Sequence, residues 1–371
     1  MWYSIYSRHS RAAGWRAADC REGGFRMEER QFRSKIQWFT FCFSILVVWV
    51  HAANAELFLG RTGEAAALEH LQSLVGNGLG QFAVPGFFMI SAYLFYRNFS
   101  WDKLERKLKS RFRSLVIPFL LWNGLYYLGY ALASRVPGLT EIVGKGVIPL
   151  DFGTAIQAVV RYRYNAVFWY LYQLIWLVAL TPVLYSLLRR KGTAALLLAA
   201  AAAWVWFERD VPFINEDSLL YYVSAACWAI YAPGTAEEAG GRRQLLEGAG
   251  VLAAGIACLL VQRHGGGIGF LVYGRLLVPM GLWRMVDKRL LPQARWWMKD
   301  TFFLYATHFA FVRLVNKTMA RIFPGSAIGA ALLYALMPAL CLGFALAGRA
   351  VLVRLAPPLW RLLTGGRDVR G

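Results

Sequence analysis

Residues 36–55 read IQWFTFCFSILVVWVHAANA, and this stretch decides the fold class. It is one continuous apolar run, entered through Arg30, Arg33 and Lys35 and closed by His51 and Asn54. A bilayer core about 30 Å thick needs roughly 20 apolar residues in helical form, and this run has that length. Similar stretches follow at 79–96, 114–134, 166–188, 193–207, 218–232, 245–261, 267–283, 301–318 and 327–348. The run at 193–207 is short and Ala-rich. The run at 267–283 is interrupted by Gly269, Gly274, Arg275 and Pro279, so it is expected to be a broken span. Such breaks are tolerated in lipid where protein or water satisfies the freed backbone groups. Membrane-spanning strands would alternate apolar and polar residues over about ten positions. The runs are continuous instead, which predicts an all-α integral membrane protein of about ten transmembrane helices.

Composition agrees. The 371 residues are 58% hydrophobic and only 17% charged, yet the net charge is +20. This excludes a disordered chain, a disulfide scaffold and a collagen-like fibre. A basic nucleic-acid-binding protein is the competing class, and the placement of the charges decides against it. With the N-terminus in the cytoplasm, the inner segments hold 30 of the 41 Lys and Arg and the outer segments 10, with Arg275 left inside a span. Positive residues are retained in cytoplasmic loops, so the split predicts that both termini lie inside. No basic motif sits on a separate soluble fold, so no nucleic acid is expected. The expected organisation is a basic, disordered tail at 1–35, a transmembrane domain at 36–350 and a second basic tail at 351–371. Met27, ahead of the charged flank Glu28–Lys35, is a candidate start.

The five cysteines, Cys20, Cys42, Cys227, Cys258 and Cys341, show no CxxC or Cys/His ligand spacing, so neither a disulfide framework nor a metal site is expected. Two of the five histidines fall in or at the end of a span. His51 reads either as an interfacial side chain or as a general base, because imidazole titrates near neutral pH. His308, half-way through its run, must face a polar partner inside the bundle, as a structural hydrogen bond or as part of a site. Arg275 costs roughly 2.5–3.5 kcal/mol at a helix centre and should face a water-filled cavity, an acid or an anionic ligand. The basic run at 106–113, with Lys109, Arg111 and Arg113, reads as a positive-inside flank or as a phosphate clamp, since guanidinium forks match phosphate oxygens. Two aromatic stretches, 82–94 with Phe87, Phe88 and Ser91 and 167–172 with Trp169, Tyr170 and Tyr172, read as interfacial belts or cavity walls.

These blocks, taken in order, resemble the acyltransferase 3 family of integral-membrane enzymes that O-acylate glycans and other envelope molecules. The resemblance rests on Val-Val-Trp-Val-His ending at His51, on 84–94 with Pro85-Gly86-Phe87-Phe88, on 109–123 with Arg111, Arg113 and Pro118, and on Phe168-Trp169-Tyr170-Leu171-Tyr172 through Pro182. A weaker block is Thr301-Phe302-Phe303-Leu304-Tyr305-Ala306-Thr307-His308. There are departures. Ala92 stands where the family usually has Gly. Thr40 stands where many members carry Arg, with Arg33 and Lys35 the nearest basic residues, and Val167 stands where many carry His.

The resemblance implies an acyl-CoA donor, most often acetyl-CoA, reached from the cytoplasm, and an acceptor hydroxyl, typically on a sugar of a surface or lipid-linked glycan. It implies His51 and His308 as the catalytic pair and Lys109, Arg111 and Arg113 as holders of the donor phosphates. Phe87, Phe88, Ser91, Trp169, Tyr170, Tyr172 and Arg275 become cavity or oxyanion candidates. No bound cofactor or metal is implied. Membrane lipids are the expected surroundings, the expected location is a bacterial inner membrane, and a homo-oligomer is compatible with this reading. A transporter or flippase of a lipid-linked saccharide is the competing reading. It would suit the broken spans and Arg275, but the chain has no sequence repeat of the kind such folds often carry.

Overall fold

The computed structural model describes residues 27–366 except Asp210 and Pro212, with the Lys288 side chain also left aside. Among the described residues the regular structure is helical, apart from one isolated bridge between Val211 and Ile214. The long elements are α1 (Glu29–Ala52), α2 (Ala83–Tyr96), α3 (Ile117–Ala133), α4 (Trp169–Ala179), α5 (Thr181–Leu188) and α6 (Lys191–Trp204). They continue with α7 (Glu216–Tyr231), α8 (Arg242–Arg263), α9 (Ile268–Met285), α10 (Thr301–Ile322) and α11 (Ala327–Leu355).

Every expected apolar stretch falls on a helix, but fewer qualify as spans by themselves. Among the described residues, five helical segments are long and apolar enough to cross a membrane, and six if the bent pair α4–α5 is one span. Those outside this set include α7, α9 and α10, the helices that carry Asp217, Arg275 and His308. At 16 residues α7 is also too short; polar residues lower the hydropathy of all three, and packing inside the bundle explains how they are tolerated. Several segments of span length and hydropathy in one chain make this a multi-pass membrane protein.

Three local features differ from the expectation. Helix α1 starts at Glu29, inside the stretch expected to be a disordered tail; residues 1–26 lie outside the described residues. At the other end, α11 runs to Leu355 and a further helix covers Pro357–Leu363. Finally, α9 is continuous over the stretch expected to be broken. Its glycines are contact points rather than breaks. A Cβ at Gly281 would lie 2.6 Å from Leu252 N and 2.8 Å from Gly248 O, and one at Gly274 would meet Leu259. Gly248 and Gly255 on α8 meet Met285 and Val278 in the same way. Two glycine pairs, each seven residues apart, thus let the backbones of α8 and α9 touch, which is how membrane helices associate without a hydrophobic driving force. The α4–α5 joint bends by 63°. Pro182 has no N–H for the Val178 carbonyl, and Thr181 Oγ1 donates to that carbonyl instead, at 2.6 Å.

One end of the bundle is tied by ions. Arg97 donates to Glu237 at 2.6 Å and to Glu29 at 2.8 Å, and the buried Glu237 also accepts from the Tyr93 hydroxyl at 2.9 Å. Arg284 bridges Glu238 and Glu247. Lys35 is buried, donating to the Trp283 carbonyl at 2.7 Å with its ammonium over the Trp283 ring. The opposite end of α1 carries His51.

Candidate active site

The C-terminal turn of α1 is held by a buried amide network. Gln72 Oε1 accepts from Asn54 N at 3.0 Å and from Ala55 N at 3.3 Å, while Gln72 Nε2 donates to Asn54 Oδ1 at 2.8 Å. Asn316 Nδ2 donates to the Ala52 carbonyl at 3.1 Å, and Asn54 Nδ2 donates to Asn316 Oδ1 at 3.3 Å. The Tyr334 hydroxyl closes the set by donating to Gln72 O at 2.9 Å. A helix end leaves carbonyls without partners, and a buried one must find them locally. The network therefore fixes the backbone immediately after His51. Asn316→Ala removes the donor to Ala52 and orphans the Asn54 amide, so it should lower stability by about 1–3 kcal/mol. Thermal unfolding in detergent measures this; an unchanged midpoint would show that the network does not hold the helix end.

Segment 74–82 lies against the same turn. A Cβ at Gly76 would sit 3.3 Å from the Trp49 carbonyl, and one at Gly80 would strike Val50. Glycine at both positions lets the backbone close on α1 and sets Gln81 beside His51. A cavity of about 300 Å³ opens there, lined by His51, Gln81, Pro85, Trp169, Asp217, Tyr221 and Arg275, with Val47, Val50, Gly80 and Val84. Arg275 thus faces a cavity, as its cost requires. Pro279, one turn on in α9, has no N–H to donate to the Arg275 carbonyl.

The two histidines meet. Their ring centroids are 5.4 Å apart, and Phe309 stands edge-on to His51 at 5.4 Å. His308 is 1% exposed. Its Nδ1 lies 2.7 Å from the Tyr305 carbonyl, which can only accept. Nδ1 therefore carries the proton, and Nε2 is an acceptor that has no hydrogen-bond partner among the described residues. The Tyr126 hydroxyl braces this part of α10, donating to Ala306 O at 3.0 Å and accepting from Ala310 N at 3.3 Å.

An aromatic corridor leads away from the histidines. Tyr305 packs on His308 and Tyr170, with ring centroids 6.2 and 6.1 Å apart, and its hydroxyl donates to Val167 O at 2.7 Å. Tyr170 shares a 3.2 Å hydrogen bond with Ser91 and packs on Phe87 and Phe88. Beyond it lies Arg111, its guanidinium 5.6 Å from the Phe95 ring, with the Tyr222 and Tyr170 hydroxyls as its electrostatic neighbours. The Tyr222 hydroxyl is buried there without a hydrogen-bond partner among the described residues.

The sequence-derived set is therefore divided. His51, His308, Trp169 and Arg275 converge on or beside the cavity, and Phe87, Phe88, Ser91 and Tyr170 form the corridor. Tyr172 points elsewhere, among Phe119, Tyr162 and Trp176. Of the three basic residues, Lys109 and Arg111 line one open pocket and Arg113 does not. Arg111 turns inward, whereas Arg113 is exposed and Lys109 is exposed and paired with Glu105 at 2.5 Å. Thr40 bonds to its own helix, donating to Ile36 O at 2.7 Å. Lys35 is committed to Trp283 and Arg33 to Glu29, so neither reaches the cavity in its place. Sequence reasoning missed Gln81, Asp217 and Tyr221. The acidic pair Glu216-Asp217 at the head of an apolar run was the signal, as a match for Arg275.

The fold and site define a multi-pass membrane protein with a paired-histidine centre between a cavity and an aromatic corridor. The profile of an acyltransferase domain matches residues 34–348, most of the chain. The chain belongs to the acyltransferase 3 family. It is also similar to the succinoglycan biosynthesis protein ExoH of Rhizobium meliloti (strain 1021), 26% identical over 186 residues. That match covers 49% of this chain and 50% of the relative, so about half of the relative's length is spanned. No solved structure matches.

Proposed function

We propose that the enzyme transfers a short acyl group, acetyl being the first candidate, from acyl-CoA to a hydroxyl of a surface or lipid-linked glycan. The supporting observation is the continuous line from Arg111 through Tyr170 and Tyr305 to His308 and His51, which ends at a polar cavity. Such a line joins a cationic donor side to an acceptor side. The relative's name, with its role in succinoglycan biosynthesis, supports a polysaccharide acceptor. In this reading about ten helices cross a bacterial inner membrane with both termini in the cytoplasm, so the donor enters at the ion-tied, basic end.

The chemistry is one acyl transfer. The acceptor oxygen attacks the thioester carbonyl while His51 takes its proton. The tetrahedral intermediate collapses with cleavage of the C–S bond, and the imidazolium returns the proton to the departing CoA sulfur. Ester and free thiol are the products. His308, its tautomer set by the Tyr305 carbonyl, holds an acceptor nitrogen beside His51 and positions it. Phe87, Phe88 and Tyr170 line the path of the pantetheine arm.

The inward turn of Arg111 separates it from its neighbours. Arg111→Gln should lower kcat/KM for acyl-CoA by at least about tenfold, because a guanidinium inside the bundle meets the donor away from bulk water. Lys109→Gln should change it by less than about twofold, as exposed ion pairs contribute little. Steady-state kinetics with acetyl-CoA in proteoliposomes compares them. Equal losses would mean that the donor is held by the surface run instead.

A further inference from the structure

We propose that Asp217, Tyr221 and Arg275, with Gln81 and the Trp169 indole, form a subsite for a neutral pyranose ring that orients the acceptor hydroxyl toward His51. The proposal rests on the acyltransferase reading and adds to it the part of the cavity that selects the acceptor.

Three observations carry it. Tyr221 is 1% exposed and lines the cavity, and its hydroxyl faces the Arg275 guanidinium without reaching hydrogen-bonding geometry to any of the described residues. Arg275 Nε in the adjoining wall likewise has no hydrogen-bond partner among the described residues. Buried polar atoms are nearly always satisfied, so two of them on one cavity wall point to a ligand that supplies the missing partners. The second observation is the charge of the wall. A carboxylate and a guanidinium, Asp217 and Arg275, both line the wall with Tyr221. A phosphate or uronate that pairs with Arg275 would meet the Asp217 carboxylate as well. A polyol meets complementary groups instead. One hydroxyl donates to the Asp217 carboxylate, which already accepts from Ser218 Oγ at 3.2 Å. Its neighbour accepts from Arg275. The phenol and the Gln81 amide can each donate or accept.

The third observation is shape. The cavity of about 300 Å³ is at the lower end of small-molecule pockets, which run from about 300 to 1,000 Å³. That suits one sugar ring, with the rest of a glycan left outside. Trp169 supplies an apolar face for the ring, and His51 lies on the same wall set. The ring hydroxyl left unheld by Asp217 and Arg275 is the one that faces the imidazole. These residues therefore bind and orient the acceptor and take no part in moving its proton.

The test uses the full chain in nanodiscs, as wild type and as Asp217→Asn, Arg275→Lys and Tyr221→Phe. Tyr221→Phe removes a single oxygen and keeps the packing, so it remains informative if either charge variant fails to fold. Saturation-transfer NMR follows methyl glucoside, methyl galactoside and methyl glucuronide, and acetyl-CoA affinity is measured in parallel. The expected result is binding of the neutral glycosides, weakened at least fivefold in each folded variant, with acetyl-CoA affinity within twofold of wild type. The proposal is overturned if the folded variants bind the neutral glycosides as wild type does, if methyl glucuronide binds more tightly than both, or if wild type binds none of them. The two readings fail separately. Protein that binds glycosides in this way but transfers no acyl group keeps the subsite and loses the transferase mechanism. Protein that transfers acyl groups while its sugar affinity ignores all three substitutions does the reverse.

Discussion

His51→Ala should lower acyl transfer by a factor of about 10²–10⁴, the usual contribution of a positioned general base. The site explains why the loss should fall on turnover. His51 lines the cavity, whereas Arg111 lies at the far end of the corridor, beyond Tyr305 and Tyr170. Donor affinity should therefore stay near wild type while kcat collapses. The backbone that carries His51 is held by Asn54, Gln72 and Asn316, none of which depends on the imidazole. Loss of the ring should leave the helix end in place. Turnover and acetyl-CoA binding measured on one preparation separate the two. Unchanged turnover would remove His51 from the chemistry. Equal loss of binding and turnover would make it a donor-binding residue.

Gly281→Leu should be the most damaging single substitution away from the cavity. A side chain there would begin 2.6 Å from Leu252 N and 2.8 Å from Gly248 O, both backbone atoms of α8 that cannot rotate aside. The helices must separate, and the closely packed glycine pairs above and below separate with them. Overpacking typically costs 1–3 kcal/mol, and this contact has no soft atom to yield, so a loss of about 3 kcal/mol is expected. The effect should extend to activity, because α9 carries Arg275 into the cavity wall. Thermal unfolding in detergent, with acyl transfer alongside, reads both. By contrast, Gly250 on α8 faces open space, and Gly250→Leu should be tolerated. Similar midpoints for the two variants would mean that the α8–α9 contact does not support the bundle.

The fold class was legible because apolar runs of span length leave few alternatives in lipid. Helix ends and continuity were less so. Gly274 reads as a break along one stretch of sequence, and only the facing Gly255 and Leu259 show that it serves close packing. The site was legible in part for the same reason. His51, His308 and Arg275 are expensive in an apolar run and so announce themselves. Asp217 did not, because at the head of α7 it resembled an ordinary loop acid. Tyr221 is one of 18 tyrosines, and nothing in its neighbours marks it as the one with a bare hydroxyl on the cavity wall. The Asn54–Gln72–Asn316 network joins residues up to 262 positions apart, which local patterns cannot reveal. The basic run illustrates a different limit. Arg111 and Arg113 are chemically alike and two positions apart, but that spacing turns one into the bundle and the other to its surface.

The most direct measurement is acyl transfer by the purified protein in liposomes, supplied with a panel of radiolabelled short-chain acyl-CoAs and with glycan stripped of its esters. Acyl transfer with His51 as base gives alkali-labile label on the glycan, an equal amount of free CoA thiol, and loss of both in His51→Ala. Such a transfer is contradicted if no acyl-CoA in the panel yields ester, and most plainly if the same liposomes translocate a lipid-linked saccharide with no acyl donor present.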